Sequence, residues 1–204
     1  HTHKCVRAGK GQTVLSFHCH KPIHSVRMCR SVRAHCASHS FSQPVWGLTS
    51  ELIVVASLID KLPNLGGMAR TSEVFGVKTY IVDSLRHLQD KQFQGLSVSA
   101  ERWVDIQEVR PGPPLKEFLL RMKTQGYTVV AAEQTSTSCQ LQTFKFPRKT
   151  ILLLGHEKYG VPCDMLPLMD HCVEIPQHGF VRSLNVHVTA AIFAWEYTRQ
   201  NLLS

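Results

Sequence analysis

The chain has 204 residues, of which 43% are apolar and 19% charged, with a formal net charge of +8. That composition can build one ordinary core. No apolar run approaches the roughly 18 residues of a membrane-spanning helix, and the basic, His-rich start has no apolar segment of a secretory signal. The charge is not spread as a general nucleic-acid footprint. Residues 1–50 hold seven Lys and Arg and no Asp or Glu, which leaves +1 for residues 51–204. Any RNA site on the body must therefore be a local patch.

The first fifty residues also concentrate His and Cys. Seven of the twelve His and four of the seven Cys (Cys5, Cys19, Cys29, Cys36) lie there. A zinc site drawn from Cys19, His24, Cys29, Cys36 or His39 can be written, with Cys36/His39 and His20/His24 as close pairs. The intervening residues lack the apolar positions a finger packs around its metal. The composition instead predicts a disordered basic leader, or a stretch foreign to the native chain, ending near Gly47–Ser50. In the body Cys139, Cys163 and Cys172 are far apart. An odd count without a secretory signal predicts free thiols, no metal, and an intracellular setting in cytoplasm or nucleus.

From residue 52 the pattern changes. Residues 52–58 form a continuous apolar, β-branched run, as in a strand buried on both faces. Asn64-Leu-Gly-Gly67 follows, then a helical stretch to about Phe75. Residues 78–82 read as a second strand and 104–109 as a third. Pro113 and Pro114 open a helix that runs to about Gln125 and stops at Gly126. Residues 127–132, 150–154 and 172–175 complete six strands, and a long helix covers about 184–202. Strands alternating with helices predict an α/β fold, a parallel sheet covered on both faces. Ligands in such sheets sit at the carboxyl ends of strands, where Gly, Asn and Ser cluster here.

Three clusters stand at those ends: Asn64-Leu-Gly-Gly-Met-Ala-Arg-Thr71, Leu153-Leu-Gly-His-Glu-Lys-Tyr-Gly-Val-Pro162, and Val173-Glu-Ile-Pro-Gln-His-Gly-Phe-Val-Arg-Ser-Leu-Asn-Val186. In order and separation they resemble the three motifs of the SpoU/TrmH branch of the SPOUT RNA 2′-O-ribose methyltransferases. The resemblance covers about 52–204 and not the leader. It implies a parallel sheet with a deep C-terminal trefoil knot, a homodimer sharing its active sites, S-adenosylmethionine as cofactor, and tRNA as substrate, methylated on a D-loop guanosine. It also implies a longer native chain with RNA-binding extensions.

Carried residue by residue, the resemblance gives Leu154, Gly155, Ile175, Gln177 and Leu184 to the adenosine pocket. An adenine fits an apolar slot with backbone donors and acceptors nearby. Arg70 becomes the catalytic arginine. A role in deprotonating the 2′-hydroxyl is implied, although a guanidinium grips a phosphate more readily than it accepts a proton. Asn64 is expected to cap the first helix and orient Arg70. Glu157 is expected to hold a loop or a basic partner. Ser183 and Asn185 are expected to bond the ribose or the knot backbone, with simple helix capping the alternative for Asn185.

Two positions depart from the family pattern. The second motif usually reads Gly-Asn-Glu, and here it reads Gly155-His156-Glu157, so a bulkier, titratable ring is expected to alter the loop. Tyr159 stands where a small or charged residue is common. Arg182 adds a positive charge suited to an RNA phosphate. The main alternative to an enzyme is an RNA-binding scaffold with little turnover, and a further one is methylation of another RNA.

Overall fold

The computed structural model describes residues 49–181 and 183–203. The zinc pairings and the basic leader, together with Arg182, lie outside the described residues. Among the described residues seven strands, β1 (Leu52–Val55), β2 (Thr79–Val82), β3 (Asp105–Glu108), β4 (Thr128–Ala132), β5 (Cys139–Gln140), β6 (Thr150–Leu154) and β7 (His171–Glu174), form one sheet. Their order is β3-β2-β1-β6-β4-β7-β5, and every pairing is parallel.

Strand β1 (Leu52–Val55) is buried throughout, as its unbroken β-branched run requires. Its residues alternate between two cores. Leu52 and Val54 point into one with Leu65, Met68, Phe193 and Tyr197. Ile53 and Val55 point into the other with Leu115, Phe118 and Leu119. This period-two division places helices on both faces of the sheet. Each fully buried Leu or Phe contributes about 1.5–3 kcal/mol relative to exposure.

On the first face lie helix α1 (Leu62–Val74) and helix α4 (Val186–Asn201). They approach closely because Gly67 has no side chain. A Cβ there would stand 2.5 Å from the His187 ring, whose Nε2 lies 2.8 Å from Thr71 Oγ1. Burial pushes the His187 imidazole below its ordinary pKa, so the ring packs there neutral. Helix α2 (Lys91–Ser97) leans on α1 at Gly66, where a Cβ would meet the Phe93 carbonyl at 2.7 Å. The second face is covered by α3 (Pro113–Thr124), which links β3 (Asp105–Glu108) to β4 (Thr128–Ala132).

The six strands predicted from apolar runs are all present. Strands β2 (Thr79–Val82), β6 (Thr150–Leu154) and β7 (His171–Glu174) fall on or beside their predicted spans. Among the described residues a further strand and a further α-helix are present. Strand β5 (Cys139–Gln140) has two residues at the sheet edge, and α2 is a single short helix. The last helix begins two residues later than expected because Asn185 is its N-cap.

Candidate active site

The loops after β1, β4, β6 and β7 all emerge at the carboxyl edge of the sheet. There they surround a cleft of about 820 Å³. Its walls mix apolar side chains (Leu154, Val173, Ile175, Leu184, Phe193) with polar ones (Asn64, Glu133, Glu157, Gln177, Ser183, Asn185). That size and mixture suit a nucleoside-sized ligand.

Three side chains tie the loops together. Asn64 is 8% exposed. Its Nδ2 donates to Glu157 Oε1 at 3.0 Å, and its Oδ1 accepts from Asn185 Nδ2 at 3.0 Å. Asn185 Oδ1 in turn accepts from the backbone N–H groups of His187 and Val188, which caps α4. Glu157 also accepts from the Asp60 and Lys61 backbone N–H groups at 3.4 Å each. It therefore satisfies amides at the start of α1, where the N-cap residue Lys61 makes no side-chain cap bond. Burial drives the Glu157 pKa up. The hydrogen bonds from Asn64 and from the backbone amides of Glu157, Asp60 and Lys61 outweigh it and hold the carboxyl below its ordinary value. One residue from each of the three motifs is thus joined in a single relay.

The expectation that Asn64 caps α1 needs correction. Asn64 is the third residue of the helix, and its amide is committed to Glu157 and Asn185. For Asn185 the two readings hold together, since its oxygen caps α4 while its nitrogen bonds across to Asn64. Glu157 holds a loop, and no basic side chain is among its hydrogen-bond partners.

Gly155 lets the loop after β6 fold back. A Cβ on it would lie 2.7 Å from the Gly160 carbonyl carbon and 2.8 Å from Val161 N. Those are backbone atoms, which cannot swing aside. The returning strand is fixed by two bonds between the main chains of His156 and Gly160, and Gly160 turns the corner at φ +70°.

His156 is bonded into this loop at both ring nitrogens. Its Nδ1 accepts from the backbone N–H groups of Lys158 at 3.0 Å and Tyr159 at 3.3 Å. An Asn side-chain oxygen makes the same kind of local bond in a turn. With Nδ1 an acceptor, the ring proton sits on Nε2 and donates to Asp60 Oδ2 at 2.7 Å.

Of the predicted site residues, Asn64, Leu154, Gly155, Glu157, Ile175, Gln177, Ser183, Leu184 and Asn185 all line the cleft. Arg70 does not. Six residues beyond Asn64, it lies about 9 Å further along α1 and is exposed. Sequence reasoning missed Glu133. It follows β4 directly, its Oε2 accepts from Val161 N at 2.9 Å, and it lies against Gly160. The available signal was an acidic residue immediately past the carboxyl end of a buried strand.

Comparison with known proteins gives this geometry a family. The SpoU rRNA Methylase family matches residues 51–195. The chain is 55% identical over 154 residues to the tRNA (guanosine(18)-2′-O)-methyltransferase TARBP1 of Mus musculus, covering 76% of this chain and 10% of that protein. It thus spans about a tenth of the mouse relative's length. It is 31% identical over 153 residues to the tRNA (guanosine(18)-2′-O)-methyltransferase of Thermus thermophilus, covering 74% of this chain and 76% of that one. Among solved structures, the A. aeolicus TrmH/SpoU tRNA modifying enzyme superposes with a TM-score of 0.66 at 27% identity, over 75% of this chain and 77% of that one. A family match across most of the chain establishes that this chain belongs to the SpoU rRNA Methylase family.

Proposed function

We propose that the chain is the catalytic domain of an S-adenosylmethionine-dependent methyltransferase acting on the 2′-hydroxyl of a guanosine ribose in the D loop of tRNA. The observation that carries the reading is the Glu157–Asn64–Asn185 relay, which holds three motif loops around one cleft of mixed apolar and polar walls. The names of the mouse and Thermus relatives support the choice of tRNA and of guanosine.

S-adenosylmethionine, when bound, supplies a methyl carbon made electrophilic by its sulfonium. The cleft has the chemistry to hold it: Leu154, Ile175 and Leu184 form an apolar slot, while Gly155 and Gln177 bring backbone and amide groups alongside. The protein's remaining task is to place a ribose oxygen in line with that carbon and to manage the hydroxyl proton. In this reading Ser183 and Asn185, which line the cleft at the amino end of α4, bond the ribose or the loop that carries it.

Arg70 acts in this reading from a second copy of the chain, because it stands outside its own cleft. Its guanidinium grips the phosphate beside the target nucleotide. The homodimer so required uses the partly exposed face of α4, with Val188, Ile192 and Trp195, where Trp195 meets the Phe75 ring at 6.0 Å. The same reading includes a trefoil knot in the C-terminal segment, an intracellular setting in cytoplasm or nucleus, and RNA-binding extensions in the whole protein. Without such extensions the chain binds cofactor but methylates tRNA slowly.

The test is transfer of labelled methyl from S-adenosylmethionine to an unmodified tRNA transcript, followed by nuclease digestion and nucleoside analysis. The label is expected in 2′-O-methylguanosine and absent with Arg70→Ala. Label in a base, or none despite cofactor binding, would overturn the reading.

A further inference from the structure

The rim of the cleft carries an aromatic side chain with no assigned task. Tyr159 is 74% exposed, yet it is not loose. Its ring lies 4.8 Å from the His156 ring at an interplanar angle of 31°. His156 is itself pinned by Asp60 and by two backbone N–H groups. The loop beneath is closed by the His156–Gly160 bridge and by Glu133 on Val161. The two positions where the second motif departs from its family pattern therefore touch, and together they form a stacked pair on a fixed loop.

Charges of both signs surround the pair. Lys158 places its ammonium 5.3 Å from the Tyr159 ring centroid, and Lys61 is exposed on the same rim. The nearby acids are engaged elsewhere: Glu157 by Asn64 and loop amides, Glu133 by Val161, and Asp60 by His156. An exposed aromatic ring with a lysine over it and a second lysine on the same rim matches a nucleobase carrying phosphates, which draw Lys158 off the ring as the base takes its place.

Resting on the methyltransferase reading above, we infer that Tyr159, backed by His156, is a stacking platform for a nucleobase of the RNA substrate at the mouth of the cleft. Stacking on an aromatic ring is tolerant of base identity. Tyr159 therefore contributes grip and placement of the strand and does not choose the base. It is a binding residue, separate from the cofactor pocket and from Arg70.

The experiment uses the full chain and an unmodified tRNA transcript at one fixed salt concentration. Tyr159→Ala, Tyr159→Phe and Tyr159→Trp are compared for tRNA dissociation constant, S-adenosylmethionine dissociation constant and sedimentation. The expected result is a loss of tRNA affinity of about 5- to 100-fold in Tyr159→Ala, near-wild-type affinity in the Phe and Trp variants, and cofactor binding unchanged within about twofold. Unchanged tRNA affinity in Tyr159→Ala would overturn the inference. So would a loss confined to cofactor binding, which makes Tyr159 a wall of the cofactor site. A loss of dimer in sedimentation would equally overturn it and make the residue a subunit contact. A wild-type chain that binds cofactor but no tRNA also rejects the platform. A wild-type chain that holds tRNA through Tyr159 but no cofactor rejects the methyltransferase reading alone.

Discussion

The two edges of the sheet are both laced with polar contacts, but these hold different things. At the amino edge side chains bond to one another across strand starts and to nearby backbone, as Tyr197 does to the Glu51 N–H and the Arg148 carbonyl. Glu51 meets Lys78 at 2.6 Å and accepts from the Tyr127 hydroxyl at 2.8 Å, and Thr79 donates to Asp105 at 3.0 Å. At the carboxyl edge side chains bond to loop backbone as well: Glu157 to Asp60 and Lys61, Glu133 to Val161, His156 to Lys158 and Tyr159. The first arrangement pins strand ends that the core already positions. The second gives loops with no regular structure of their own a fixed shape. Polar groups at the carboxyl edge should therefore matter for ligand binding far more than equally well-bonded groups at the amino edge.

The largest effect is expected from Gly155→Ala. The added methyl meets backbone at 2.7 Å, and a rigid neighbour cannot yield without moving the loop. A strain of about 1–3 kcal/mol should appear as a loss of cofactor affinity of about 5- to 150-fold in titration. Asn64→Ala comes next. It leaves Glu157 and Asn185 short of one partner each, for about 1–3 kcal/mol, read in thermal unfolding and in cofactor affinity together.

Acid should act on the same edge. The Glu157 carboxyl lies below its ordinary value of 4.5 in the folded chain. A depressed carboxylate contributes stability that is complete above the ordinary value and is lost as pH falls through the folded one. The stability difference between wild type and Glu157→Gln should be constant at neutral pH and shrink below about pH 4.5. A difference that persists unchanged into stronger acid would contradict the role given to the charge. The smallest effect belongs to the amino edge. The Lys78–Glu51 pair is partly solvent-exposed, so Lys78→Met should change stability by no more than about 1 kcal/mol and leave cofactor affinity alone. A loss of binding there would erase the contrast between the edges.

Legibility in the sequence follows the same physics. Strands β1, β4 and β6 were readable because burial on both faces demands unbroken apolar runs. Helix α3 was readable from Pro113 and Gly126 at its ends. Strand β5 was not, because two residues at an edge carry no periodicity, and Leu141 N to Glu174 O is a backbone bond that no side chain announces. Helix α2 was missed because it has only seven residues, too few to show a helical period, and carries a Gly in its interior. Its usable signal was Asp90, which caps Gln92 N at 2.7 Å.

For the site, the motif residues that line the cleft were legible only as members of three clusters. Taken singly, each resembled ordinary turn chemistry. The coupling of Asn64, Glu157 and Asn185 was not legible at all, since it joins residues 93 and 121 positions apart. Nor was the fit of His156, which depends on the geometry of two backbone amides.

The central claim is that the carboxyl-edge cleft is a cofactor site. The most direct test is a calorimetric titration of the full chain with S-adenosylmethionine, run beside Leu184→Arg, which puts a charge into the apolar wall. Saturable one-to-one binding by the wild type, abolished in a variant that still unfolds cooperatively, is the predicted result. A folded wild type that releases no binding heat and shows no stabilisation by the cofactor, or a Leu184→Arg variant that binds as well as wild type, would contradict the account.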